Sequence, residues 1–325
     1  MTVLILTSEE DVTGDMVVAE LHRTGTPVVR LDPADLPGKA MLSVEYAHGD
    51  FDGHLSVNGQ LLSMQGLRSV WVRRPGEPAA HATHPSPWLT AETRQALFGM
   101  LFAGSARWMN HPRDAERARL KPWQLRTAHL SGFAVPPTVF TTSPRLARQF
   151  AEEHREVVVK SASGPPPGDP ALALPTTLIG PDTDFAAVAA GPALLQRYIR
   201  KRADIRLTSV GTRLLGARKK AGPGQVDGRY GDTEHGWEPV PVPDRIATSV
   251  RAYVALAALA YAAFDFAEDE DGVWWFLECN QGGQFGFVEL ESGQPISGAV
   301  ARWLSQDAVS APALRRPWAS PQRPS

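Results

Sequence analysis

Short apolar runs alternate with amphipathic stretches along this chain, and their spacing separates strands from helices. Residues 3–7 (VLILT) form a continuous apolar run bounded by polar turn residues, the pattern of a buried strand. Residues 15–24 carry Met16, Val17, Ala19 and Leu21 ahead of Gly25, which predicts a helix and its stop. A second apolar run from Pro27 to Leu31 completes a β-α-β unit with parallel strands and a right-handed crossover. Residues 41–62 alternate around the turns HGD and VNG and read as strands. Val70 to Val72 is another short strand, ending in Arg73-Arg74-Pro75. Over residues 90–108, Leu97, Leu101, Gly104 and Trp108 recur at spacings of three and four, predicting an amphipathic helix. A further helix is predicted from an Asp114 N-cap to Gly132. It carries Lys121, and Pro122 argues for a kink or break at that point.

The pattern then changes. Prolines 136 and 137 make residues 133–142 extended, and Ser143-Pro144 opens a helix with a cap and a proline at its first position. Residues 155–160 (REVVVK) are a β-run that ends in a lysine, followed by a Gly/Pro-rich loop over 161–170. TTLIG and residues 193–199 (ALLQRYI) read as strands. Residues 204–220 read as a hairpin turning at Val210-Gly211-Thr212. Residues 221–236 read as a loop and 243–263 as a buried helix. Residues 264–280 form a second hairpin turning at Asp271-Gly272, and a short helix lies near 295–304. The tail from Pro312 has the Arg/Pro/Ser composition of disorder. The expected organisation is an α/β N-terminal domain over 1–112 and two α+β parts over 113–190 and 191–311. A flexible tail covers 312–325.

Composition narrows the function classes. With 325 residues, 43% hydrophobic and 21% charged, the chain is long enough for two or three packed domains. Its 33 basic and 35 acidic residues give a net charge of −2, which supports no nucleic-acid or membrane-surface partner. No stretch approaches the ~20 apolar residues of a membrane span. The N-terminus lacks the basic segment and small-residue cleavage site of a signal peptide. The single cysteine, Cys279, excludes an internal disulfide and suits a reducing, cytoplasmic setting.

Three groups of residues carry candidate chemistry. Glu278 and Asn280 lie two apart on a strand and share a face, and the hairpin brings Asp265 toward them. Two carboxylates and an amide oxygen suit a hard cation such as Mg²⁺; the alternative is a solvated strand face. Lys160 ends a β-run before a glycine-containing loop, as a phosphate-binding lysine would, although an ordinary strand-end lysine fits too. No Walker A motif is present. Arg206, Arg218, Lys219, Lys220 and Arg229 form a basic set with Asp204 and Asp227 between them, and for most of these a solvated face is the alternative. Arg206 and Arg218 differ by an even number across the first hairpin. They are therefore expected on one face, where an arginine pair would meet an anionic transition state. Cys279 sits between two candidate ligands and should point to the packed face, as a structural thiol.

In this order and spacing the residues resemble the ATP-grasp fold with a pre-ATP-grasp β-α-β domain. More specifically, the chain resembles the ATP-grasp maturases of ribosomal peptides, the microviridin-type or graspetide synthetases. The matching pieces are Val70-Trp71-Val72-Arg73-Arg74-Pro75, Asn110-His111-Pro112 through Lys121 to Gln124-Leu125, and Gly132-Phe133 with Pro137-Thr138. They continue with Asp204-Ile205-Arg206, Asp227-Gly228-Arg229, and Phe276-Leu277-Glu278-Cys279-Asn280 with Gly283-Gln284. The chain departs from the family in having Asn280-Gln281 where Asn-Pro is usual, and Gly228 where an aromatic is usual.

The resemblance implies roles. Lys121 and Lys160 would bind ATP phosphates, and Gln196, Arg197, Tyr198 and Ile199 would form the hinge against adenine. Asp204 would sit near the ribose, while Asp265, Glu278 and Asn280 would hold Mg²⁺. Arg206, Arg218 and Arg229, with Asp227, would handle phosphate or the substrate carboxylate. It further implies a ribosomal precursor peptide, leader plus core, as partner and a homodimer as the assembly. The implied reaction activates Asp or Glu side chains as acyl phosphates and closes ω-ester or ω-amide macrocycles onto Thr, Ser or Lys. The rival expectations are an ATP-grasp ligase for an amino acid or small acid and a non-catalytic peptide-binding protein.

Overall fold

The computed structural model describes residues 1–47, 50–79, 83–163, 175–222, 224–228 and 235–307. They form two compact units, one of Met1–Met109 with the chain from Ala301 onward, the other of Asn110–Val300.

The first unit begins β1 (Thr2–Thr7), α1 (Val12–Arg23), β2 (Val28–Leu31), and β1 and β2 pair in parallel as their apolar runs predict. Gly25, at φ +68°, ends the connection from α1, a conformation that costs glycine no Cβ clash. An antiparallel sheet of β3 (Ala40–Ala47), β4 (Asp50–Val57) and β5 (Gln60–Ser63) follows, with Asn58 and Gly59 both at positive φ in the tight turn. The unit continues with β6 (Leu67–Arg74), α2 (Pro87–Ala103) and β7 (Arg107–Met109), giving a parallel sheet of order β2-β1-β6-β7. The helix expected over 90–108 therefore stops earlier. Its apolar stripe at Leu97 and Leu101 is buried, but Trp108 lies on β7 opposite Val70. The chain from Ala301 is tied to this unit by Ser69 Oγ, which donates to Leu304 O at 2.8 Å, and by Arg68, which donates to Ser305 O at 2.6 Å.

The second unit starts with two helices where one was expected, α3 (Pro112–Ala118) and α4 (Lys121–Leu130). The break expected at Pro122 falls just before Lys121: Pro122 lies in the first turn of α4, where its missing N–H has no helical partner to lose. The N-cap of α3 is His111, whose Nδ1 accepts from Arg113 N at 3.3 Å; Asp114 lies inside the helix. Next come β8 (Thr138–Thr141), α5 (Pro144–His154), β9 (Val157–Lys160), β10 (Thr177–Ile179) and β11 (Ala193–Arg197), in a sheet of order β10-β9-β11-β8. Ser143 caps α5 as expected, its Oγ accepting from Leu146 N at 3.4 Å.

The second sheet contains β12 (Lys201–Val210), β13 (Arg213–Lys220) and β14 (Glu238–Pro239). After α6 (Asp244–Ala257) it adds β15 (Tyr261–Asp269) and β16 (Trp274–Asn280). Its order is β14-β13-β12-β15-β16, so β16 is an edge. The helix α6 ends at Ala257, before the expected Ala263, because Ala258 turns left-handed at φ +55° and Tyr261 enters β15. One face of this sheet buries Phe264, Phe266 and Phe276 against α6 with Tyr253 and Phe133. The chain closes with α7 (Gly286–Ser292) and α8 (Ile296–Ser305). Among the described residues no helix is long and apolar enough to cross a membrane.

Candidate active site

The other face of the five-stranded sheet carries the candidate ligands, and strand register decides which charged residues meet them. Asp265 pairs with Glu278 and Ala263 with Asn280, so the second hairpin places all three side chains on one face. Strict alternation along β16 would also put Phe276 on that face. It lies instead in the core, fully buried, because Leu277 is an extra residue: Asp265 faces Glu278 but Phe266 faces Phe276. This bulge lets the same strand send Phe276 inward and Glu278 outward.

The three predicted ligands converge. Asn280 Nδ2 donates to Glu278 Oε1 at 3.0 Å and to Asp265 Oδ2 at 3.3 Å. Lys121, at the first position of α4, donates from Nζ to Glu278 Oε2 at 2.9 Å. Arg206 Nη1 reaches Asp265 Oδ1 at 2.5 Å and Oδ2 at 2.6 Å, and its Nη2 donates to Gln284 O at 3.0 Å. These contacts set the carboxylates apart electrostatically. Burial pushes the Asp265 carboxyl up to about 6 against the pull of Arg206, and the charge on Glu278 adds to the rise. Burial opposes ionisation of Glu278 as well, but Lys121 beside it, with Asn280 and Lys160, outweighs this and holds it at about 2.

Lys160 and Gln196 lie on one face of the four-stranded sheet, and Lys160 Nζ donates to Gln196 Oε1 at 2.8 Å. Gln196 Nε2 in turn donates to Thr138 Oγ1 at 2.9 Å. Burial pulls the Lys160 ammonium down to about 8, with Lys121 and Lys201 pulling the same way and Glu278 and Asp227 opposing. Lys121 and Lys201 are ion-paired to Glu278 and Asp204, while Lys160 meets only the Gln196 amide among the described residues, an arrangement that a polyphosphate would complete.

In the hinge stretch, Arg197 lies over the Trp275 ring at 4.9 Å, and Tyr198 N donates to Glu156 O at 2.9 Å. The Tyr198 N–H is therefore engaged by the protein itself. Ile199 is buried and its N–H has no protein partner among the described residues. Asp204 accepts from Lys201 Nζ at 2.6 Å through Oδ1, while its buried Oδ2 has no hydrogen-bond partner among the described residues. A Cβ on Gly228 would stand 2.4 Å from that Oδ2, so only glycine fits against it. Asp227 accepts from Thr176 N at 3.0 Å. Arg229 lies outside the described residues, as do most of the 161–170 loop and the 312–325 tail.

Arg218 does not join Arg206. Pairing runs Ile205 with Arg218 and Arg206 with Ala217, so the two arginines project from opposite faces. A two-residue turn pairs odd positions with even ones, which makes an even difference in number the mark of opposite faces. Arg218 Nε instead donates to Glu268 Oε2 at 2.7 Å, and Arg202 donates to Oε1 at 3.0 Å. Lys219 takes the expected place of Arg218, opposite Asp204 on the site face, half-buried and without an ion pair among the described residues.

The donor set fits Mg²⁺. Among the described residues no three His, Cys, Asp or Glu side chains gather as metal ligands. Two carboxylates and the Asn280 amide oxygen would hold the ion, with phosphate oxygens completing the shell.

Comparison with known proteins bears on the fold. Residues 2–116 match the family described as the MvdD pre-ATP grasp domain. The macrocyclase MdnC from Microcystis aeruginosa MRC, solved bound with precursor peptide MdnA, is 25% identical. It matches with a TM-score of 0.82 over 94% of this chain and 99% of that one. MdnB from the same source is 27% identical, with a TM-score of 0.76 over 93% and 98%. The chain is an ATP-grasp ligase, similar to the graspetide maturases. A RiPP-associated ATP-grasp ligase from Chryseobacterium gregarium, solved with ADP and a leader and core peptide, shares the ligase's fold. It has 24% identity and a TM-score of 0.81 over 93% of this chain and 96% of that one. No curated protein sequence matches the ligase.

Sequence reasoning gave no individual role to four residues of this ligase. Lys201 was not singled out and Lys219 counted only as one of a basic set; counting back from the Gly211-Thr212 turn would have placed Lys219 opposite Asp204. The Leu277 bulge and the packing of Gln124 against Cys279 depend on pairings between distant elements and leave no local signal.

Proposed function

We propose that this ligase activates Asp or Glu side chains of a ribosomal precursor peptide and closes them onto Thr, Ser or Lys side chains of the same peptide. The observation that carries this reading is the convergence of Lys121, Lys160, Arg206, Asp265, Glu278 and Asn280 in one unit. Lys121, Lys160 and Lys201 would hold the ATP phosphates, and Ile199 N–H would meet the adenine edge. The free Oδ2 of Asp204 would accept from a ribose hydroxyl. A Mg²⁺ held by Asp265, Glu278 and Asn280 would neutralise charge on the β- and γ-phosphates.

The substrate carboxylate oxygen attacks the γ-phosphorus, the bond to the β-phosphate oxygen breaks, and ADP forms. Arg206, beside Asp265, would meet the charge on the transferring phosphoryl group. The product is an acyl phosphate, an electrophile that the free carboxylate is not. A hydroxyl or amine of the peptide then attacks the acyl carbon, and phosphate leaves carrying the proton. The chain's part is largely positioning, which can supply a large share of such a rate.

The peptide would be recognised as leader plus core, in the ATP-supplied cytoplasm, by a homodimer. Light scattering at two protein concentrations checks the assembly. The reaction is tested by incubating the protein with Mg-ATP and an acidic, Thr-containing precursor. Loss of one or more waters from the peptide, dependent on ATP, supports the proposal. ATP turnover on a small acid and amine, with no change in any peptide, replaces it with the small-acid ligase.

A further inference from the structure

We propose that Gln124 is a positioning residue that locks the Lys121 helix onto the strand bearing Glu278 and Asn280. This rests on the reading of those two residues as metal ligands. β16 is an edge strand, so the backbone of Cys279, midway between the ligands, lacks a strand neighbour on its outer side. Gln124 takes the place of that neighbour. Its Nε2 donates to Cys279 O at 2.8 Å, and its Oε1 accepts from Cys279 N at 3.1 Å. One side-chain amide thus makes the two-point contact that a residue of an adjacent strand would make. The remaining N–H donates to Ala118 O at 2.8 Å, a carbonyl at the end of α3 that no helical turn satisfies. The amide orientation follows from these partners, since a flip would set donor against donor and acceptor against acceptor.

The placement gives the contact a functional sense. Gln124 is buried, 5% exposed, and lies three residues after Lys121 on the same helix. Lys121 Nζ stands 2.9 Å from Glu278. The clamp therefore fixes two separations together, that of Lys121 from Glu278 and that of Glu278 from Asn280 across Cys279. The thiol of Cys279 takes no part; it is buried in the phenylalanine core, and burial raises its pKa. Groups that orient metal ligands without touching the metal commonly change metal affinity about 10- to 100-fold when removed.

The test uses the full chain and ADP as probe, titrated with Mg²⁺ and with EDTA in its place. Gln124→Met keeps the volume and removes all three hydrogen bonds. It is expected to weaken Mg²⁺-dependent ADP binding about tenfold while changing binding in EDTA less than twofold. Amide exchange at Cys279 should accelerate. Gln124→Glu, which keeps the acceptor for Cys279 N–H, should fall between wild type and Gln124→Met, and serves if Gln124→Met does not fold. In a Glu278→Gln background, Gln124→Met should cost nothing further in Mg²⁺-dependent binding. Equal losses with and without Mg²⁺, or a lowered melting temperature with Mg²⁺-dependent binding intact, would overturn the proposal and leave Gln124 a packing residue. A wild type whose ADP binding ignores Mg²⁺ would remove the ligand reading and the proposal with it. In the packing outcomes the wild type retains its Mg²⁺ dependence.

Discussion

Two arginine–carboxylate clusters sit on opposite faces of the same sheet, and they behave differently. Around Glu268, Arg202 and Arg218 donate to separate oxygens of one buried carboxylate. Burial opposes its charge, yet the two arginines prevail and its pKa lies below the ordinary carboxylate value. Around Asp265, Arg206 chelates both oxygens, yet burial and neighbouring Glu278 still lift the pKa to about 6. The first cluster satisfies itself. The second crowds two carboxylates, an amide and several cations into one place, and a metal ion and phosphates would give its charges better partners. On the proposed function, the perturbed carboxylate beside a chelating arginine would belong to the functional face and the settled one to the structural face.

The widest gap between the clusters should appear in turnover. Glu278→Gln is expected to lower ADP release in the presence of Mg-ATP and precursor about 10²- to 10³-fold. Glu268→Gln should stay within about threefold of wild type, since it touches no reacting group. Similar losses in both variants would erase the distinction between the faces.

Proton linkage at Lys160 sharpens the same contrast. Its pKa of about 8, against 10.5 for an ordinary lysine, means that it loses its charge as pH rises through 8. ADP affinity should then fall by up to about tenfold per pH unit above 8, until the pKa of the complex is reached. Titration at pH 7, 8 and 9 checks this, and Lys160→Arg should flatten the profile. Folding stability moves the other way, rising between about pH 8 and 10.5, because the unfolded chain keeps a proton that the folded site has released.

Steric fit gives a smaller effect. A Cβ on Gly283 would stand 2.7 Å from Ala263 Cβ and 3.1 Å from Asn280 Cβ. Gly283→Ala should destabilise the chain by about 1–3 kcal/mol in urea unfolding. The smallest effect belongs to the settled cluster, where Arg218→Met should lower the melting temperature by about 2–4 °C with turnover kept. Loss of turnover in Arg218→Met would return Arg218 to the catalytic site.

The strands and the spacing of Glu278 and Asn280 were legible because both rest on local periodicity. The β1–β2 unit, the Ser143 cap and the turn at Gly272 are of the same kind. What escaped depends on register between elements. Arg218 was placed with Arg206 because both numbers are even, while the turn at Gly211 pairs even with odd. Alternation could not say that Phe276 and Glu278 part company, since one inserted residue separates them. The helix ends at Ala103 and Ala257 also escaped, because apolar residues continue into the following strands, β7 and β15.

The central claim is that the Asp265–Glu278–Asn280 face, and not the Glu268 face, binds Mg²⁺ with nucleotide. Calorimetric titration of ADP with Mg²⁺ into wild type, Glu278→Gln and Glu268→Gln tests it most directly. The account predicts Mg²⁺-dependent binding in wild type and Glu268→Gln and its loss in Glu278→Gln. Unchanged Mg²⁺-dependent binding in Glu278→Gln would contradict it, as would a wild type that binds no nucleotide.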